Sequence, residues 1–299
     1  MARIKKGRKI NGILLLDKAK GVSSNFALQQ VKRLFFAQKA GHTGSLDPLA
    51  TGILPICLGE ATKFASFLLA DDKSYITIAK LGSTTDTLDS EGKILTTNST
   101  KNINLELIKK VIENFKGEIE QIPPMYSALK KNGIPLYKLA RKGIEIEREA
   151  RKITIFDLQI IDFENDLLTL KVHCSKGTYI RTLVDDIGKV LGCGAFVAEL
   201  RRDKFAHFDL SKTIKFDNLD KNDDYTNLDN KLLTIDDILL NFPKLEIDEK
   251  QTIDIGFGRQ IKVDMPDQET MIKIFNNNTF LGLGEVKNGI LQPKKMVQM

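Results

Sequence analysis

Two rhythms of polar and apolar positions alternate along this chain, one near period two and one near 3.6. Their order predicts an α+β fold built on a mixed, largely antiparallel sheet with flanking helices. Residues 13–16 form an unbroken apolar run, as expected of a short buried strand. Ser23 or Ser24 can cap a helix that carries Leu28, Val31, Leu34 and Phe35 at helical spacing. Residues 53–58 predict a strand and 61–69 a helix. Tyr75, Thr77 and Ala79 then alternate with Ile76, Ile78 and Lys80 in a strand ending at Gly82. A helix over 103–115 places Leu105, Ile108, Val111 and Ile112 on one side.

Pro123-Pro124 opens an irregular, basic excursion that closes near Arg151. Strands at 153–163 and 167–174 flank the turn Glu164-Asn165-Asp166, so they should pair antiparallel. A helix at 179–191 and a strand at 195–204 follow. The polar stretch 217–230 reads as a loop, with a short helix at 235–240. From 245 onward, short strands separated by turns at Gly256, 276–278 and Asn288-Gly289 predict a small all-β module. The expected organisation is a main domain over 1–210 with a basic excursion at 121–152, a linker or helical segment over 211–244 and a β-rich module over 245–299.

Composition narrows the partners. A chain of 299 residues with 42% hydrophobic residues can bury a large core. A net charge of +6 and an isoelectric point near 9.0 suit an anionic partner. The distribution sharpens this: 128–152 holds eight Lys/Arg and three Glu, and the first ten residues hold five basic side chains and no acid. Residues 209–249 reverse the balance, with eleven acids against five lysines. One positive face toward a polyanion is the expectation. Cys57, Cys174 and Cys193 form no C-x-x-C pair, which points to a reducing compartment. His42, His173 and His207 lack metal-ligand spacing, and no phosphate loop or dinucleotide fingerprint occurs. The apolar run at 13–16 is too short for a secretory signal, and no segment is long enough to span a membrane. A cytoplasmic protein is expected.

The segment 41–64, GHTGSLDPLATGILPICLGEATKF, places a single acid, Asp47, in a loop bounded by glycine, serine and proline. Gly41 and Gly44 permit unusual backbone conformations, and Pro48 biases Asp47 away from the helical region. Such an aspartate is either a turn residue or a presented reactive carboxylate. The full string closely resembles the nucleophile motif of the TruB-type tRNA pseudouridine synthases. The resemblance continues through QIPPMYSALKKNGIPLYKLARKGIEIEREAR at 121–151, CSKGTYIRTL at 174–183 and LRR at 200–202.

The resemblance implies the pseudouridine synthase fold with a PUA-like terminal module. It also implies isomerisation of uridine to pseudouridine at position 55, in the T-loop of tRNA. The N1–C1′ bond breaks, C5 joins C1′ and the C5 proton leaves, with no cofactor, nucleotide or metal required. Asp47 becomes the nucleophile, with attack at C1′ or C6 equally compatible with the sequence. Arg181 becomes its cationic partner, able to hold both carboxylate oxygens. Tyr75 and Leu200 become contacts to the reacting base, and Tyr75 a candidate acceptor of the C5 proton. His42 matches the residue that enters the loop when the target base is flipped out. Lys18, Tyr179 and Lys130 match further motif positions near the site. Lys18 is followed by Ala19 where the family usually has proline, which should loosen that turn.

Three competing readings differ in class. A non-catalytic RNA-binding or RNA-folding protein could use the same scaffold. A guide-RNA-dependent relative would carry a long N-terminal extension and a well-formed PUA module, which have no counterpart here. A carboxylate hydrolase would need a second acid that the motif does not supply. The expected partner is therefore tRNA alone, with neither membrane nor obligatory protein partner.

Overall fold

The computed structural model describes residues 6–220 and 223–298. Arg3 and Lys5 of the basic N-terminus, and Lys221 and Asn222 of the polar stretch, lie outside the described residues. The body is built on one ten-stranded sheet. Its strands are β1 (Gly12–Lys18), β2 (Ala40–His42), β3 (Thr51–Leu58), β4 (Lys73–Leu81), β5 (Gly117–Gln121), β6 (Arg151–Glu164), β7 (Leu167–Cys174), β8 (Ala195–Phe205), Phe208–Asp209 and Ile214–Lys215. The main path runs from Ile214–Lys215 through β1, β3, β8, β4, β7 and β6 to β5. Five of its pairings are antiparallel; Ile214–Lys215 with β1, and β3 with β8, are parallel.

The apolar run at the N-terminus is continuous because both of its faces are covered. Leu14 and Leu16 join one core with helices α1 (Ser24–Leu34), α2 (Leu105–Glu113) and α3 (Ile180–Val190). Ile13 and Leu15 join a second core on the opposite face, with Phe64, Leu68 and Phe205. Tyr75, Thr77 and Ala79 are all buried, as their alternation predicts.

Local geometry departs from expectation in several places. The predicted helix at 61–69 is a 3₁₀ turn over Gly59–Lys63 followed by a short helix over Ala65–Ala70. Thr62 Oγ1 donates to the Gly59 carbonyl at 2.7 Å and tightens that first turn. The edge strand β5 was not predicted, since its sequence GEIEQ leaves most of its side chains exposed. The presumed linker 211–244 is stitched into the body. Ile214–Lys215 pairs with β1, Leu219 and Leu228 enter the first core, and Leu233 exchanges backbone hydrogen bonds with Ile13. The short helix expected at 235–240 is one 3₁₀ turn, Asp236–Ile238, and Tyr225–Asp229 is helical within the polar stretch.

The terminal module is a five-stranded sheet spanning Lys244–Glu246 to Ile290–Met296, as its turn pattern predicts. It also contains a two-turn helix, Glu249–Gly256, in place of the turn expected at Gly256. Asp248 and Gln251 form a reciprocal capping box at its start. Phe280 and Leu283 dock the module against Phe64, and Lys63 Nζ and Lys295 Nζ bond across the seam to the Met296 and Lys63 carbonyls. No helix among the described residues is long and apolar enough to cross a membrane.

The parallel contact between β3 and β8 requires glycine at its centre. Gly52 has φ +97°, and a Cβ there would lie 2.2 Å from the Arg202 carbonyl oxygen. Gly52→Ala is expected to cost at least the 1–3 kcal/mol or so associated with local strain. Gly41, without positive φ and with its nearest neighbour 3.7 Å away, should accept alanine at little cost. Thermal melting of the two variants checks the contrast.

Candidate active site

The loop between β2 and β3 presents Asp47, which closes a turn through its backbone and forms an ion pair through its side chain. Its carbonyl accepts from Ala50 N at 3.1 Å, closing a turn, while its side chain points to Arg181. Gly44 supplies a positive φ of +64° at the loop entrance. Ser23 caps α1, which frees the buried Ser24 hydroxyl to bond both the carbonyl and the N–H of Leu46 at 2.8 Å. Lys18 is 1% exposed, and its ammonium donates to the Ala19, Val22 and Pro48 carbonyls at 2.9, 2.6 and 3.2 Å. These bonds close the turn after Lys18 although Ala19 stands in the proline position. They also hold Lys18 within the protein, pinning the Asp47 loop from below.

Arg181 lies in the first turn of α3 and is buried. A cation at this end of a helix opposes the helix dipole, so it needs strong local compensation. Nε donates to Asp47 Oδ2 at 2.9 Å. The two-pronged grip expected on Asp47 is not formed, because the terminal nitrogens are committed elsewhere. Nη1 donates to the Thr87 carbonyl at 2.8 Å and sits 3.5 Å from Asp89 Oδ2; Nη2 donates to the Tyr126 carbonyl at 2.7 Å.

Asp89 was missed from sequence. It is buried and held by Thr87 Oγ1 at 2.6 Å and Glu91 N at 3.1 Å. Its only local signal was three acids in the glycine-closed segment TTDTLDSEG. Gln121 was also missed. Its side-chain amide clamps the backbone of Tyr179, donating to the carbonyl at 3.1 Å and accepting the N–H at 2.8 Å, immediately before α3.

The electrostatics are those of a crowded site. Burial pushes the Asp47 carboxyl above its ordinary value and Asp89 adds to this, while Arg181 and Lys18 pull it down. Asp47 nevertheless keeps 39% of its side-chain surface open to an incoming group. Burial lowers Lys18 to about 8, with Asp47 opposing. Burial and nearby Arg202 both lower His42, which favours a neutral ring. Burial raises Tyr75, against the opposing charge of Arg202.

The other candidates lie on separate elements. Tyr75 on β4 lies opposite Arg202 on β8, and Leu200 lies opposite Thr77; both site residues are buried. His42 ends β2, paired with Ile56, and its Nδ1 has no hydrogen-bond partner among the described residues. Tyr179 is half-buried at the start of α3. Lys130 is exposed on a two-strand hairpin, Lys130–Lys131 with Ile134–Pro135, and no hydrogen bond or ion pair among the described residues joins it to Asp47 or Arg181. Within the basic excursion Arg148 pairs with Glu145, and Lys152 with Glu118. Lys130, Lys131, Lys138, Arg141, Lys142 and Arg151 form no ion pair among the described residues. No group of three or more His, Cys, Asp or Glu among the described residues is arranged to hold a metal.

Comparison with known proteins gives matches over nearly the whole chain. Residues 32–180 match the model of the TruB family pseudouridylate synthase N-terminal domain. Residues 181–240 match the tRNA pseudouridylate synthase B C-terminal domain, and 243–297 the pseudouridine synthase II TruB C-terminal segment. The tRNA pseudouridine synthase B of Actinobacillus pleuropneumoniae serotype 5b is 51% identical over 99% of this chain and 98% of its own. That of Mannheimia succiniciproducens is 50% identical over the same shares. Among solved structures, a Cbf5-Nop10-Gar1 complex aligns with TM-score 0.69 at 23% identity, covering 95% of this chain and 84% of that one. An H/ACA RNP bound to a substrate RNA containing 2′-deoxyuridine aligns with TM-score 0.69 at 20% identity, covering 100% of this chain and 92% of that one. These two structures share the fold. The near-full-length relatives and the matched segments establish that the chain belongs to the TruB family of pseudouridine synthases.

Proposed function

We propose that this protein isomerises uridine to pseudouridine at position 55 in the T-loop of tRNA, acting in the cytoplasm without guide RNA, cofactor or obligatory protein partner. The observation that carries the reading is the ion pair between a half-open Asp47 and a buried Arg181. Arg181 uses one N–H on Oδ2, and Oδ1 takes no hydrogen bond among the described residues. One oxygen is thereby oriented while the other is left available as a nucleophile. A carboxylate suits the task because it can form a covalent adduct with the nucleoside and depart again. Tyr75 and Leu200 form the apolar bed for the flipped uracil. A neutral His42 can enter the vacated loop without bringing a second charge. The six cations of the excursion without ion pairs supply phosphate attraction.

Asp47→Asn should abolish turnover while leaving tRNA affinity within a few-fold, because the amide keeps the shape and loses the nucleophile. Rapid-quench detection of pseudouridine beside a filter-binding titration checks both halves, and substantial turnover would remove Asp47 from the chemistry.

The acid limb of the single-turnover rate follows from the same site. Only the carboxylate attacks, so rate is lost as pH falls through the Asp47 pKa. Burial raises that value, so the loss should begin above the range of an ordinary aspartate, about 3.9. Arg181→Gln removes the main opposing charge and should move the limb further upward. A pH–rate profile on a stem-loop that stays folded across the range gives the answer.

Neutralising Lys130, Arg141 and Lys142 together should weaken tRNA binding and flatten its salt dependence, by up to roughly 0.7 in slope per lost phosphate contact. Single-turnover rate at saturating RNA should change much less. Unaltered affinity across a salt series would confine recognition to other surfaces.

A further inference from the structure

We infer that Arg202 is the positioning residue that fixes the Asp47 loop against Tyr75. The inference rests on the reading that Asp47 and Tyr75 share one chemical site, and it adds to that site a residue outside the constellation above. Arg202 is 1% exposed and ranks among the largest fully buried side chains. Buried arginines are normally paired with a carboxylate, yet no ion pair forms here among the described residues. Its guanidinium instead spans three places. Nε donates to the Ile53 carbonyl and Nη2 to the Gly44 carbonyl, each at 2.8 Å. The same group lies 4.8 Å over the Phe205 ring, and its charge opposes the burial that raises the Tyr75 hydroxyl.

Gly44 and Ile53 bracket the loop that carries Asp47. Arg202 and Tyr75 are register partners on antiparallel strands, so their side chains project from the same face of the sheet. One rigid, planar fork therefore holds both ends of the nucleophile loop at a set distance from the aromatic ring. If packing alone were needed, an apolar side chain of similar volume would fill this space without the cost of a buried charge. The charge has a local use: it offsets part of the burial that disfavours a negative tyrosine oxygen.

The test is a double-mutant cycle on unmodified tRNA, with affinity and single-turnover rate at saturating RNA measured for Arg202→Lys, Arg202→Gln, Tyr75→Phe and the combined variants. Both arginine variants should lose about 10²-fold in rate, the scale expected of a misplaced reacting group, with affinity nearly unchanged. Tyr75→Phe should cost much less on the Arg202→Gln background than in the native protein. Additive losses, a near-normal rate in Arg202→Lys, or a defect confined to melting temperature or affinity would each overturn the inference. A fully active Tyr75→Phe would instead remove Tyr75 from the chemistry, and the proposed link with it. If neither arginine variant folds, the contact is read from the other side by NMR. The solvent-protected Arg202 Nε–H resonance should move in Tyr75→Phe, and an unmoved resonance overturns the link.

Discussion

The site depends on keeping one guanidinium charged where water cannot reach it. Arg181 sits at the positive end of a helix, so both burial and the helix dipole oppose its presence. Two carboxylates and two backbone carbonyls, contributed by three separate loops, offset that opposition. The arrangement has an electrostatic consequence. With Asp89 and the carbonyls carrying part of the load, the buried guanidinium does not depend on Asp47 alone.

The elements with strong local patterns were legible in the sequence. Alternation marked β4, the apolar run marked β1, and the β6–β7 hairpin announced itself through Glu164-Asn165-Asp166. What escaped depends on partners distant in the chain. Asp89 acquires meaning only beside Arg181, Gln121 only beside the backbone of Tyr179, and Arg202 only between Gly44 and Ile53. The strand β5 was missed because an exposed edge needs few apolar residues. The helix Glu249–Gly256 carried its signal in a capping box rather than in periodicity. Asp47 itself was ambiguous on chemistry alone, and the resemblance of the whole surrounding string decided how it was read.

The Asp47 loop is restrained from several directions. Lys18 holds it from β1, Ser24 from α1, Arg181 from α3 and Arg202 from β8. A loop with this many anchors has little conformational freedom left to lose. The basic excursion is built differently. It has short elements, six cations without ion pairs and few buried side chains, which suits a surface that adapts to RNA.

The strand order also sets a schedule for synthesis. The loop bearing Asp47 emerges from the ribosome early, but the arginine that pairs with it and the β8 strand that braces it follow more than a hundred residues later. The outer edge of β1 waits longer still, for Ile214–Lys215 and Leu233. The central sheet therefore closes through contacts between distant parts of the chain, which makes its assembly slow relative to its local hairpins. A nascent chain that has not yet exposed β8 holds the Asp47 loop without its Arg202 brace, even where Arg181 has already emerged. The frame around Asp47 is complete only after β8 has been made, well after the excursion at 121–152.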